Sequence, residues 1–449
     1  MNNDLPDGWQ ERDLVQCVDV LDSRRVPVNS EERAKREGKV PYYGATGQVG
    51  WIDDYLFQEE LLLLGEDGAP FLDKSKSISY IISGKSWVNN HAHVLRAKSE
   101  ITSNKYLNYF FDFFDFGDFV NGTTRLKLTQ SAMKRIPVLL APLMEQRRIV
   151  AKLEELFGRI EACQARLARI PLILKRLRES VLGAACSGKM TEDWREQHRG
   201  TTESLRAFLS QVEDQRMQSA RSPTERKRLQ DLFEMVEEGD DEDLPTTWAY
   251  VRLGKLCTSF DYGTSAKSEK AGKIPVLRMG NIQSGQIDWS DLVYTSDKDE
   301  ISKYLLRHST VLFNRTNSPE LVGKAAIYRG ERPAIFAGYL IRVNPTFALN
   351  PEYLNLCLNS PAAKEFCLQV KTDGVSQSNI NAQKLSSFEV PYCLPEEQEE
   401  IVRRTSRLLS LADQIESCFR KGISRTEKLK QSLLAKAFRG ELVPTKAEL

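Results

Sequence analysis

The sequence predicts an α+β protein: two sheet-rich α/β modules joined by two long helices packed as an antiparallel coiled coil, with an internal pseudo-twofold repeat. Three observations predict it: a duplicated helix start, a duplicated module opening, and a long run of apolar residues at alternating steps of three and four. The helix starts read Glu145-Gln146-Arg147-Arg148-Ile149-Val150 and Glu397-Gln398-Glu399-Glu400-Ile401-Val402, shortly after Pro142 and Pro395. Gln146 and Gln398 stand 252 residues apart, as do Leu177 and Leu429, so both copies keep one internal spacing. The openings Leu5-Pro6-Asp7-Gly8-Trp9 and Leu244-Pro245-Thr246-Thr247-Trp248 are 239 residues apart, and the segments between opening and helix share little. A repeat of this size governs the whole architecture. It divides the chain into a first module (1–145), a central helical region (146–190), a polar helical connector (191–243), a second module (244–397) and a C-terminal helical region (398–449).

In the first helix, apolar residues follow Ile149 at Leu153, Leu156, Ile160, Cys163, Leu167, Ile170, Leu174, Leu177 and Val181. This is the 3.5-residue period of a coiled-coil seam. The second copy offers a weaker seam after Ile401 through Thr405, Leu408, Ala412, Ile415, Phe419, Gly422, Thr426, Leu429 and Leu433. Two such seams in one chain pack most economically on each other. Pro171 interrupts the first helix, where it removes a backbone donor and clashes with the preceding turn. Gly422-Ile423 occupies the matching place, which predicts a joint shared by both helices. The connector predicts two polar helices, around Glu203 to Met217 and Thr224 to Val236, before the acidic run Glu237 to Asp243.

Between the openings and the helices, short β-branched and aromatic runs punctuated by glycine predict strands. In the first module these are Val40 to Gly44, Leu61 to Gly65, Ser79 to Gly84 and Val94 to Arg96. In the second they are Ile274 to Arg278, Val311 to Phe313 and Leu340 to Val343. One helix is predicted in each, Asn104 to Phe114 and Pro351 to Gln369. Near each module's end stands a polar turn, Gly122-Thr123-Thr124-Arg125-Leu126-Lys127 in one and Gly374-Val375-Ser376-Gln377-Ser378-Asn379-Ile380-Asn381 in the other. Small hydroxyl and amide side chains with exposed backbone N–H groups suit phosphate and sugar contacts. Side chains able to read base edges cluster in the same modules: Tyr42, Tyr43, Thr46, Asn89, Asn90, His91 and His93, then Arg278, Asn281, Asn314, Arg315, Thr316, Asn317 and Lys324. Arginine suits a bidentate pair with guanine and asparagine one with adenine.

The balance of 63 Lys and Arg against 62 Asp and Glu gives a net charge of +1, so overall charge does not itself mark a nucleic-acid binder. No apolar run reaches the roughly 18 to 20 residues of a membrane span, and the start lacks a signal-peptide pattern, so a cytoplasmic chain is expected. Eight scattered cysteines without CxxC spacing are expected to be reduced and mostly core, and His91-Ala92-His93 lacks a third metal ligand, so no metal is expected. No cofactor is expected either. Gly183-Ala184-Ala185-Cys186-Ser187-Gly188-Lys189 imitates a phosphate loop, but Met190 replaces the hydroxyl that would hold magnesium, and a helix stop at Gly188 explains it. Asn344-Pro345-Thr346-Phe347 is a degraded form of the motif that amino-methyltransferases use to hold a target nitrogen; a turn after a strand explains it.

With its two Glu-Gln-x-x-Ile-Val helix starts, paired Leu-Pro-x-x-Trp openings and the closing Ala437-Phe438-Arg439-Gly440-Glu441-Leu442-Val443-Pro444, the chain resembles the specificity subunit of type I restriction-modification enzymes over nearly its whole length. The resemblance implies two target recognition domains, each reading half of a bipartite asymmetric double-stranded DNA site, held apart by conserved helices. It implies no catalytic residues in this chain. Two S-adenosylmethionine-binding modification subunits would dock on the helices, around Gln146, Ile149, Leu153, Leu156 and Ile160 and around Gln398, Ile401, Leu408 and Ile415, and ATP-dependent restriction subunits would join them. Helix geometry would set half-site centres about one DNA turn apart, roughly 10 base pairs. Two alternatives stay open: a self-contained DNA adenine methyltransferase, which would bind the methyl donor by itself, and a coiled-coil scaffold that binds no DNA.

Overall fold

The computed structural model describes residues 5–198, 204–237, 243–374 and 377–444. The chain forms two compact units, Met1–Ile170 with Ser417–Leu449, and Pro171–Glu416. Each contains one module and a pair of helical segments far apart in sequence.

The two modules share a topology. In the first, an antiparallel sheet runs in the order Val18–Val20, Ala92–Ala97, Leu61–Gly65, Ser79–Ile82. In the second, the order is Cys257–Tyr262, Leu340–Pro345, Thr310–Asn314, Ala325–Tyr328. The four leucines Leu61 to Leu64 are all inaccessible because both faces of their strand are covered: Leu62 and Leu64 face the helices, Leu61 and Leu63 the second sheet. That second sheet contains a parallel pair in both modules, Tyr42 beside Trp87 and Val276 beside Ile335. Helix Asn104–Phe113, capped by Ser103 accepting from the Tyr106 N–H, covers the first sheet. The helix expected from Pro351 to Gln369 is two, Pro351–Leu358 and Pro361–Val370. Ser360 accepts from the Ala363 N–H and Pro361 opens a new first turn, where its missing donor is harmless.

Each module is closed by its own ends. Strand Gln10–Asp13 pairs antiparallel with Pro137–Leu140, and Ala249–Arg252 with Glu389–Tyr392. This pairing carries the opening tryptophan to the start of the helix that follows. The Trp9 Nε1–H donates to Glu145 Oε1 at 3.0 Å and Trp248 Nε1–H to Glu397 Oε2 at 2.9 Å, all four side chains being buried. The neighbouring glutamines tie the helix start to the module. Gln146 donates to the carbonyls of Ile101 and Ala141 and accepts from Thr102; Gln398 donates to those of Ala348 and Cys393 and accepts from the Asn350 N–H. The repeated Trp and Glu-Gln are thus one device used twice.

The first helix runs Leu143–Leu167, breaks at Ala168 and Arg169, and resumes as Ile170–Cys186. Pro171 lies in the first turn of the resumed helix, where no intrahelical donor is required. The shared joint is corrected: Pro395–Phe438 is unbroken through Gly422, which lacks a ring to collide with the turn before it. In the first unit, Gln164 donates to Thr426 at 3.0 Å and Lys430 pairs with Glu161 at 3.4 Å, so Leu143–Leu167 and the end of the last helix are antiparallel. In the second, Arg178 pairs with Asp413 and Glu416 at 2.8 and 2.7 Å and Arg404 donates to the Met190 carbonyl, again antiparallel.

Each helix end enters a module core. Phe438 lies 5.3 to 5.4 Å, centroid to centroid, from Tyr106, Phe110 and Phe113, while Ala185 joins the core of the second unit. Gly440 and Gly188 then terminate the helices with φ of 77° and 73°. A Cβ there would stand 2.6 Å from Pro6 and 2.4 Å from Pro245, the prolines of the two openings. The expected helix stop at Gly188 is present. Connector helices Leu205–Ser219 and Pro223–Phe233 belong to the second unit, whose core takes Val212. Of the acidic run, Glu237 pairs with Lys255 at 2.7 Å; residues 238–242 lie outside the described residues. All eight cysteines are free; Cys17, Cys257, Cys357, Cys367 and Cys393 are buried, while Cys163 and Cys418 are exposed on the helices.

The helix positions expected to hold partner subunits need correction. Gln146, Ile149, Leu153, Ile160, Gln398 and Ile401 are buried within the units: Ile149, Leu153 and Ile401 serve the module cores, and the two glutamines are bonded to module carbonyls. Leu156 is half-buried, and Leu408 and Ile415 remain 38% and 39% exposed.

The tryptophan clasps differ in one respect that predicts unequal sensitivity. Glu397 is also held by Arg195 at 2.6 Å and Thr191 at 2.7 Å, whereas Glu145 Oε2 has no hydrogen-bond partner among the described residues. Trp9→Phe therefore leaves a buried carboxylate without its donor and should destabilise the first unit by about 2 to 3 kcal/mol, against about 1 kcal/mol for Trp248→Phe in the second. Urea unfolding followed by far-ultraviolet circular dichroism measures both; equal losses would contradict this account of the clasp.

Candidate nucleic-acid interface

The polar turn occupies the same topological place in both modules, beside the residues that leave the third strand of the first-described sheet. In the first module, Leu61–Gly65 runs into Glu66-Asp67-Gly68. The hairpin Val120–Asn121 and Lys127–Leu128 is seated on it: Leu128 N–H donates to Glu66 O at 2.8 Å, and Gly68 N–H to Leu126 O at 2.9 Å. In the second, Thr310–Asn314 runs into Arg315-Thr316-Asn317. Thr316–Asn317 pairs with Ser378–Asn379, which pairs in turn with Thr372–Asp373.

In the first module the turn and loop border an open cleft of about 590 Å³ whose walls include Thr46, Asn89, His91, Thr124, Arg125 and Asp67. Arg125 Nε lies 2.7 Å from Asp67 Oδ1, and His91 Nδ1 lies 3.4 Å from Asp67 Oδ2. Lys127 stands 3.5 Å from Glu66, and Gly122 and Thr123 are exposed at the tip. The expected Thr46, His91, Thr124 and Arg125 are therefore brought together. Tyr43 is half-buried against Tyr80, with ring centroids 6.0 Å apart.

Tyr42 and His93 are corrected. Tyr42 is buried, its hydroxyl donating to Val28 O at 3.0 Å. His93 is inaccessible: Nδ1 faces Asp22 Oδ2 at 2.7 Å and Nε2 faces Leu128 O at 2.9 Å. Strand alternation sends His93 inward while His91 precedes the strand at the cleft. Asp22, Glu66 and His93 lie close enough to suggest a metal cluster. Yet both ring nitrogens of His93 face oxygen acceptors, and Glu66 pairs with Arg25 at 2.6 Å, so the donor set is already engaged by the protein. Burial pushes the Asp22 carboxyl up, but hydrogen bonds from His93, Gln130 and the Val94 N–H outweigh it and hold the group below the usual aspartate range.

The second module uses more of its polar residues internally. Arg315 donates to Asn379 Oδ1 at 3.1 Å and Gly338 O at 3.3 Å and lies 4.7 Å over the Tyr262 ring. Asn379 in turn donates to Thr316 at 2.8 Å. Lys324 reaches Gln283 at 3.1 Å, Asn317 accepts from the Ser318 N–H, and Arg278 pairs with Asp291 at 3.0 Å. Gly374 and Gln377 are exposed at the turn; Ser376 lies outside the described residues. Asn281, Asn314 and Ser378 are corrected as groove-facing groups because all three are buried. Asn281 bonds the Asp288 and Asp291 carbonyls, Ser378 donates to Asp373, and Asn314 ends the buried central strand. Asn381 is exposed but caps helix Ala382–Ser386 by accepting from the Lys384 N–H. The strand-end reading of Asn344-Pro345-Thr346-Phe347 holds, with Asn344 donating to Ser259 and Asp261. Sequence reasoning missed Glu66, Asp67 and Tyr262. The available signal was an acidic pair directly after a buried strand.

The family model of the type I restriction modification DNA specificity domain matches residues 6–172 and again 245–421. The chain belongs to this family. Each match begins at the Leu-Pro-x-x-Trp opening and extends into the helical region, so the unit recognised is module plus helix. The chain is 28% identical over 312 residues to the EcoKI specificity subunit of Escherichia coli (strain K12), covering 68% of this chain and 58% of that subunit. It is 24% identical over 456 residues to the EcoDI specificity subunit of Escherichia coli, covering 98% of this chain and 89% of that one. Its fold matches the crystal structure of an HsdS subunit from Thermoanaerobacter tengcongensis with a TM-score of 0.54 at 17% identity, covering 98% of each chain. Two modules, each packed with antiparallel helical segments, are thus the fold of this chain.

The buried Asp22 sets an acid limit on the first module. Because its carboxyl is lowered in the folded state, the stability it contributes is full above the unfolded aspartate value, about 4, and is lost as pH falls through the folded value. Asp22→Asn should lower stability at pH 7 and flatten the loss between about pH 5 and pH 2. Acid titrations of both proteins, read as the unfolding midpoint of the first unit, test this; parallel curves would contradict it.

Proposed function

We propose that this chain is the DNA-specificity subunit of a type I restriction-modification complex, each module reading one half of a bipartite asymmetric double-stranded site. The observation that carries the reading is the double match to the DNA specificity domain, together with a polar turn seated on the same strand end in both modules. A common scaffold with different side chains at that place is what two half-sites of different sequence require. Thr46, His91, Thr123, Thr124, Arg125 and Lys127 form the surface of one module, and Asn317, Lys324, Gly374, Gln377 and Asn379 that of the other.

In this reading the chain directs chemistry performed elsewhere. Two modification subunits supply S-adenosylmethionine binding and adenine methylation, and ATP-dependent restriction subunits join them. The helix pair of the second unit supports docking, since Leu172, Ile173, Leu177, Leu408, Leu411 and Ile415 remain 38% to 59% exposed after the pair has formed. Exposed apolar groups in such density on one helical pair suit a protein partner.

Two outcomes follow. Exchanging residues 10–140 for the corresponding module of a relative should change one half of the methylated site and leave the other half intact, as read by methylome sequencing of cells that also express the modification subunit. A change in both halves would sink the modular reading. Ile173→Asp combined with Leu411→Asp should weaken copurification with the modification subunit at least tenfold, the scale of losing a buried anchor, roughly 1.4 kcal/mol or more. Undiminished assembly would remove this face from the interface.

A further inference from the structure

Resting on the recognition reading above, we propose that Arg125 reads a guanine by its major-groove edge and that Asp67 is the residue that positions it. Asp67 Oδ1 engages Nε of Arg125 at 2.7 Å, on the inner side of the guanidinium. Among the described residues, neither terminal nitrogen of Arg125 makes a hydrogen bond, and the side chain is 61% exposed. What remains for a ligand is the end-on pair of parallel donors. Guanine offers two parallel acceptors, O6 and N7, at matching separation, and this is the commonest specific contact of arginine with a base.

The surroundings favour a base over a phosphate. Asp67 is only 24% exposed and stands against the guanidinium, so a carboxylate already meets its charge. A phosphate drawn to Arg125 would bring its own negative charge toward Asp67, at a cost in a partly desolvated cleft. A guanine edge carries acceptors without net charge and meets no such repulsion. Asp67 is itself fixed: its second oxygen faces His91 Nδ1 at 3.4 Å, and its backbone bridges Lys127 of the polar turn. The arginine thus projects from a braced base into the cleft bordered by Thr46 and Asn89.

The second module does not repeat the arrangement. At the strand end where the first places Glu66 and Asp67, it places Arg315 and Thr316, and both terminal nitrogens of Arg315 are taken by Asn379 and the Gly338 carbonyl. The guanine reader therefore belongs to the half-site of the first module.

The test uses the full chain assembled with its modification subunit. The probes are duplexes carrying the methylome-mapped site, with each of the four base pairs placed in turn at each position of the half-site assigned by module exchange. The unsubstituted complex should prefer G·C at one position by roughly 5- to 150-fold, the range of one bidentate contact. Arg125→Ala should abolish that preference while leaving other positions and the salt dependence unchanged. Arg125→Lys keeps the charge without the planar fork and should also lose it. Asp67→Ala should reduce the preference at the same position, and Asp67→Glu should restore part of it. If Arg125→Ala weakens all duplexes alike and lowers the salt slope by about one while Arg125→Lys restores binding, the contact is to phosphate and the proposal is overturned. A complex without selectivity at any position would overturn the recognition reading itself, and this inference with it.

Discussion

A buried hydrogen bond from tryptophan to glutamate holds each module to its helix, and the remaining architecture depends on it. A carboxylate enclosed beside apolar side chains is tolerable only with a donor aimed at it, and the opening tryptophan supplies that donor after nearly a whole module of intervening chain. The first-turn position of the glutamate adds a favourable interaction with the helix N-terminus. The adjoining glutamine, fixed to two carbonyls and a donor, sets the angle at which the helix leaves. The paired first and last strands of the module make both contacts possible by bringing Trp9 and Trp248 beside the helix starts.

The helix ends provide the complementary constraint. Phe438 fills an aromatic pocket that Tyr106, Phe110 and Phe113 cannot close by themselves, and Gly440 stops the helix where a side chain would strike Pro6. Gly188 stops the other helix against Pro245 in the same way. The first unit is therefore completed by a segment distant in sequence, Ser417–Leu449, whereas the second is the continuous stretch Pro171–Glu416, whose core takes Ala185 from the helix that precedes its module. The packing explains why the openings carry proline and tryptophan together: one receives a helix end, the other fastens a helix start.

Between these fixed points the modules vary where variation costs least. Strand order and the seat of the polar turn are shared, but Glu66-Asp67 in one corresponds to Arg315-Thr316 in the other. Both pairs follow a fully buried strand, which holds them in place whatever their charge. The first module leaves an arginine braced by Asp67 at an open cleft. The second stacks its arginine on Tyr262 and ties it to Asn379. Such a scaffold separates the residues that maintain the fold from those free to specify a ligand.

The sequence by itself determined the repeat, the order of module and helix, the buried strand Leu61–Gly65, the helix stop at Gly188 and the recurrence of the polar turns. Those features rest on local periodicity, on proline and glycine chemistry and on spacing, all of which survive in one dimension. Tertiary structure alone decided which polar side chains face outward. His91 and His93 differ by two residues, yet one borders the cleft and the other is enclosed by Asp22 and Leu128. Asn281, Asn314 and Ser378 likewise turned inward, because a buried backbone or carboxylate needed a partner or because the central strand continued through them. The helices show the same limit. Their apolar period was legible, but Ile149, Leu153 and Ile401 serve module cores while Leu408 and Ile415 stay open, since a seam records only that a face is apolar and not what covers it. Pro171 and Ile423, the latter directly after Gly422, stand at matching positions, and only the proline, by its missing donor and its ring, interrupts the helix.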